Sequence, residues 1–150
     1  MIIDTSALVT ILRDEPEAEA FLEAIRTSLP RRMSAGSYVE LGIVIDRPGD
    51  PIASRRVDEL LARLSVVIEP VTETQARIAR EAYRDFGKGS GHRAGLNFGD
   101  CFAYALAREH NEPLLFKGDD FRHTDIPYVG RSTERHRLSE VMAAYGVATS

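Results

Sequence analysis

Four stretches of this sequence place carboxylates among apolar or small residues: Asp4 ends MIID, Glu40 sits inside SYVELGIVID, Asp100 precedes CFAYALA, and Asp119 and Asp120 follow LLFKG. An unpaired carboxylate in such surroundings loses solvation at considerable cost. Several of them on one site repel one another and raise each other's pKa unless cations neutralise them. Hard oxygen ligands select Mg²⁺, with Mn²⁺ able to substitute, over zinc. A pair of such ions ~3.5–4 Å apart activates a water and stabilises the leaving oxygen in phosphodiester cleavage. Thr5 and Ser6, directly after Asp4, are then placed to bind a phosphate or an outer water.

Each acid also has an ordinary explanation. Asp4 and Asp100 can cap the helices that follow them, Glu40 can lean to solvent, and Asp119 and Asp120 can be turn formers. Jointly these explanations require several independent coincidences in a fold that brings the positions toward one end. Rival chemistries fit less well. His92, His110, His123 and His136 lack zinc-site spacing. GKGS departs from the GxxxxGK[ST] order of a phosphate-binding loop. Cys101, inside an apolar helix, reads as small core filler. A phosphatase with an aspartyl nucleophile wants a second acid two residues after Asp4, where Ser6 stands.

The elements that must position these residues alternate. Residues 1–4 read as a short buried strand, and a helical pattern runs from Ser6 to Leu12. Helix resumes at EAEAFLEAIRTS, where Ala18, Phe21, Leu22 and Ile25 share one face. RRMSAG predicts a strand, and SYVELGIVID a helix that RPGDP stops. ASRRVDELLARL predicts another helix, SVVIEPV the clearest strand, and TETQARIAREAYRDF a helix capped by Thr72 or Thr74. FGKGSGHRAGLN must be a loop. FGDCFAYALAREHN predicts a buried helix and LLF a strand. IPYVG is a candidate strand and RLSEVMAAYG a candidate terminal helix. Strands alternating with helices imply a mostly parallel sheet covered on both faces. Ligands of such sheets bind beyond the carboxyl ends of the strands. Asp4 and the GDD turn both lie there.

The chain has 150 residues, 43% hydrophobic and 28% charged, which suits one globular domain able to bury its own core. No apolar run approaches the ~20 residues of a membrane span, and no signal peptide is legible at the N-terminus. The expected location is the cytoplasm, with no membrane contact. The formal charge of −4 argues against holding nucleic acid by bulk electrostatics. Local basic clusters remain: Arg31 with Arg32, Arg55 with Arg56, FGKGSGHR, Lys117 with Arg122, and RSTERHR. Of these, Lys88, His92, Arg93 and Lys117 border the acidic stretches and are candidate contacts for the phosphates of a polyanion.

MIIDTSAL, YVELGIV, LNFGDCFAYALA and LLFKGDDFRHTDI together resemble, in order, the four acidic blocks of the PIN-domain ribonucleases, specifically the VapC toxins of bacterial toxin–antitoxin pairs. The resemblance covers about residues 1–127 and implies a three-layer α/β sandwich in a single domain, with an extension possible from about 128. It implies a metal site of Asp4, Glu40, Asp100 and Asp120, with Asp119 the adjacent alternative and Asp125, like Thr5 and Ser6, standing behind the ligands. It also implies a homodimer, inhibition by a cognate antitoxin, and cleavage of structured RNA. Two features depart from the family pattern: Arg93 stands where proline is common, and the segment after Ile126 runs long. A nuclease of RNA or DNA processing, or an inactive module of the same fold, are the alternative readings; finding a neighbouring antitoxin gene would discriminate the first, and intact acids count against the second.

Overall fold

The computed structural model describes residues 1–130, and its sheet is built from four short strands: β1 (Ile2–Ile3), β2 (Arg32–Ser34), β3 (Val67–Glu69) and β4 (Leu114–Leu115). All are parallel, in the order β3-β2-β1-β4. Alternate side chains of a strand face opposite sides, and here two residues suffice to anchor both. Ile2 and Leu114 pack into one core with Ala103, Leu106 and Ala107, whereas Ile3 and Leu115 pack into the other with Leu8, Ile25 and Leu41.

Six α-helices cover the two faces. Helices α1 (Thr5–Leu12), α2 (Ala18–Arg26), α3 (Ala35–Asp46) and α4 (Pro51–Arg63) supply the core over Ile3. Helices α5 (Glu73–Phe86) and α6 (Asp100–His110) supply the core over Ile2. The result is the expected three-layer sandwich, with a sheet that is wholly parallel. Thr72, one of the two anticipated caps, accepts the Gln75 N–H at 3.2 Å and starts α5.

SVVIEPV supplies the strand β3, placed at the sheet edge where Val67 is 50% exposed. One expectation needs correction. IPYVG adds no strand; Tyr128 makes a single bridge to Leu114. The RLSEVMAAYG helix and the RSTERHR cluster lie outside the described residues.

From β1 the chain moves outward to β2 and β3, then returns past both to lay β4 against the far side of β1. The order of strands therefore reverses between β1 and β4, the place where open parallel sheets form a crevice. Asp4 leaves the end of β1, and Asp119 and Asp120 follow the end of β4.

Helices α3 and α6 approach closely because Gly36 has no side chain. A Cβ there would stand 2.6 Å from the Phe102 ring. Gly36→Ala is expected to gain helix propensity of about 1 kcal/mol but to lose about 1–3 kcal/mol to overpacking, a net loss in urea denaturation. Gly42, in the same helix, would meet only Asp46 Oδ2 at 4.0 Å. Gly42→Ala should therefore stabilise, and equal behaviour of the two variants would refute the packing role of Gly36.

Candidate metal centre

Asp4 is 3% exposed and serves as the N-cap of α1. Its Oδ2 accepts the Ser6 backbone N–H at 2.9 Å and the Ser6 hydroxyl at 2.6 Å. Capping and lining a site prove compatible, because both bonds use one carboxylate oxygen. Burial pushes the Asp4 carboxyl up to about 6, the Ser6 bonds oppose the rise, and the charge of Glu40 adds to it.

Asp100 opens α6 and is buckled to Asn97. Its Oδ2 accepts the Asn97 N–H at 2.8 Å, and its own N–H donates to Asn97 Oδ1 at 2.9 Å. This reciprocal pair spans three residues, as a capping box does. Burial again dominates in raising the Asp100 carboxyl, to about 7; the Asn97 bond opposes, and the charges of Asp4, Asp120 and Glu40 push further upward. Those three acids come from β1, the 3₁₀ turn Asp120–His123 and the middle of α3. Asp4, Glu40 and Asp100 line one cleft, and the charge of Asp120 is felt at Asp100 as well.

The cleft between them has a volume of about 570 Å³ and is lined by Asp4, Ser6, Glu40, Asn97, Asp100 and Lys117, among others. Asp120 is exposed and is not among the residues that line it. Asp119 is turned elsewhere, 2.8 Å from His123 Nε2 and 3.9 Å from Arg122 Nε. Gly118, with φ of +105°, sets the preceding turn in a conformation that favours glycine.

The remaining expected residues divide. Ser6 stands directly behind Asp4 and accepts the Lys117 backbone N–H at 3.0 Å, tying the ends of β1 and β4 together. Thr5 is buried, lines the cleft beside Asp4, and donates its hydroxyl to the Ser37 carbonyl at 3.0 Å, which joins α1 to α3. Asp125 accepts from the Tyr104 hydroxyl at 2.6 Å and from Arg108, which fastens the last loop to α6. The Lys117 ammonium lies at the cleft but pairs with Glu15 and Glu17. Lys88 and Arg93 are exposed on the loop before Asn97. His92 is held within that loop, its ring 4.9 Å from Phe86 and its Nδ1 accepting the Ala94 N–H. Arg31 spends its guanidinium on the Ser28, Leu64 and Arg26 carbonyls, and Arg32 pairs with Glu69 and Glu112. Cys101 is buried core, its thiol raised to about 11 by desolvation.

Asn97 and Glu15 were not anticipated. The spacing Asn97-x-x-Asp100 carried the signal for the first; nothing local marked Glu15, whose partner Lys117 is 102 residues away.

Among the described residues, no lysine or arginine forms an ion pair with Asp4, Glu40, Asp100 or Asp120. A partly buried set of carboxylates that no lysine or arginine pairs with fits a hard divalent ion in charge and donor type. No three acidic, histidine or cysteine side chains among the described residues stand together at ligand distance. Binding therefore requires rotation of side chains, for which the less buried Glu40 and Asp120 have room.

A parallel sheet between helical layers, with a carboxylate-lined cleft at the reversal of strand order, places this protein among the α/β enzymes whose site lies beyond the carboxyl ends of the strands. The PIN domain family profile matches residues 1–127. Ribonuclease VapC28 of Mycobacterium tuberculosis is 59% identical over 126 residues, 84% of this chain and 95% of that protein. Ribonuclease VapC30 of the same species is 53% identical over 130 residues, 86% and 98% of the two chains. The fold is shared with M. tuberculosis VapC20, described as a sarcin–ricin loop cleaving toxin, at a TM-score of 0.67 and 16% identity over 85% of this chain and 97% of that one. It is shared also with a toxin–antitoxin complex from Klebsiella pneumoniae, at 0.60 and 19%, covering 80% and 88%. The chain belongs to the PIN-domain family, among its VapC ribonucleases. Among the described residues no helix is long and apolar enough to cross a membrane.

Proposed function

We propose that this protein is the toxin of a toxin–antitoxin pair, a cytoplasmic endoribonuclease that cuts structured RNA with Mg²⁺ or Mn²⁺. The observation that carries the reading is the cleft that Asp4, Glu40 and Asp100 line together at the strand ends, where burial and the neighbouring acids push the Asp100 carboxyl upward. Asp4, Glu40, Asp100 and Asp120 hold the metal, with Asp120 preferred to Asp119 because the latter is occupied by His123 and Arg122. When bound, the ion supplies an activated water and charge stabilisation for the leaving oxygen.

The chain's own residues do the positioning. Ser6 fixes the Asp4 carboxylate through Oδ2, and Asn97 fixes Asp100. Lys88 and Arg93, both exposed, contact RNA phosphates that flank the cut. Lys117 joins them when a phosphate displaces Glu15 and Glu17, while His92 shapes the loop that carries its neighbours. The acidic cleft also suits a cognate antitoxin whose arginine fork satisfies the carboxylates in place of metal. The protein acts as a homodimer.

The test uses chelator-stripped protein on total RNA, with cut sites mapped. Cleavage should be absent in EDTA and return with Mg²⁺ or Mn²⁺. Full activity in protein verified as metal-free would overturn the mechanism. Co-purification from the native operon should yield a stoichiometric complex of low activity; recovery of this chain alone, active and harmless to its host, would favour a processing nuclease.

A further inference from the structure

Gly99, which precedes Asp100, lacks the usual backbone reason for glycine. Its φ of −63° and ψ of −40° are right-handed helical, a conformation in which alanine is more favourable. Space is the constraint instead. A Cβ at this position would lie 1.6 Å from Oε2 and 2.6 Å from Cδ of Glu40. The Glu40 carboxylate thus occupies the volume that any other residue at 99 would claim. At Gly36 the obstacle is a ring packed between helices; at Gly99 it is the free end of a flexible side chain, which can swing away. The consequence of a side chain at 99 therefore falls on where Glu40 points rather than on whether the protein folds.

We infer that Gly99 is a positioning residue: its missing Cβ lets the Glu40 carboxylate lie against the start of α6, next to Asp100, in the place from which it joins the metal site. Gly99 touches neither ion nor RNA and acts only through Glu40. The inference rests on Glu40 being a ligand, as proposed above.

Three variants test it: Gly99→Ala, Glu40→Ala, and the two combined, each measured for Mn²⁺ affinity by calorimetry on chelator-stripped protein, for RNA cleavage, and for melting temperature. Gly99→Ala should weaken Mn²⁺ binding roughly 10- to 100-fold, the range for losing the support of a ligand. It should also lower kcat/KM about 100-fold, as a misplacement of ~1 Å does. The double variant should match Glu40→Ala in all three measurements, because the carboxylate that the added methyl would displace is already gone. Should Gly99→Ala alone fail to fold, the double variant should recover folding.

Wild-type Mn²⁺ affinity in Gly99→Ala, beside a crippled Glu40→Ala, overturns the positioning role and leaves the ligand assignment intact. A double variant that binds or cuts more weakly than Glu40→Ala, or that stays unfolded, overturns it too, since Gly99 would then act through something else. Wild-type binding and cleavage in Glu40→Ala overturns the ligand assignment and the positioning role together, and is seen without any change at position 99.

Discussion

Asp4→Asn is expected to destroy cleavage and, in the absence of metal, to make the protein more stable. The asparagine oxygen can still accept the Ser6 N–H and hydroxyl that now bond Oδ2, so the cap of α1 survives. What disappears is a charge in a position only 3% exposed. At neutral pH that charge is a liability without a cation, since burial and Glu40 both disfavour it. The melting temperature of metal-free Asp4→Asn should therefore equal or exceed that of the parent near pH 8. Its cleavage rate should fall roughly 10²- to 10⁴-fold, the range for losing a group that helps activate the attacking water. Mn²⁺ should no longer raise its melting temperature as it does for the parent. A folded, active Asp4→Asn protein would return Asp4 to the role of a cap alone.

The stability of the metal-free protein should fall as pH rises from 5 to 8, the reverse of the common behaviour of carboxylate-rich proteins. Ordinary paired acids have lowered values and lose stability on acidification. Here the Asp4 carboxyl is raised from 3.8 to about 6 and that of Asp100 from 3.8 to about 7. Between those limits the native state retains protons that the unfolded chain has released. The contribution is whole below about pH 3.8 and is gone above about pH 7. For Asp4 alone the shift corresponds to about 3 kcal/mol at most, and the partial exposure of Asp100 reduces its share. A fall of roughly 5–10 °C in melting temperature follows for a chain of this size. Mg²⁺ at about 100 times its Kd should restore about 2.7 kcal/mol at pH 8, and much less at pH 5, where protons compete for the same oxygens. Asp4→Asn/Asp100→Asn should flatten both dependences. A melting temperature independent of pH in the parent, or equal stabilisation by Mg²⁺ at pH 5 and pH 8, would count against the acidic cluster.

What the sequence by itself determined was the set of acids, their order, and the alternation of elements that delivers them. Asp4 at the end of MIID and the GDD turn after LLF sit at strand ends, and a parallel sheet sends all such ends to one rim. Thr72 as a cap and Cys101 as core were legible for the same local reason, since each depends on neighbours within a few residues. Tertiary structure alone decided what depends on distant partners. Asp119 is held by His123 and Arg122. Lys117 is held by Glu15 and Glu17, Thr5 by the Ser37 carbonyl, and Asp125 by Tyr104 and Arg108. The same holds for β3: its Val-rich pattern fits a buried strand, yet its place at the sheet edge leaves Val67 and Ile68 partly exposed. Hydrophobic pattern reports which residues can be buried, whereas strand order, set by the whole chain's packing, decides which ones are. Gly99 lies at the boundary between the two. Its type is plain in the sequence, but the reason for it, a carboxylate from another helix filling the space of a missing Cβ, exists only once α3 and α6 have met.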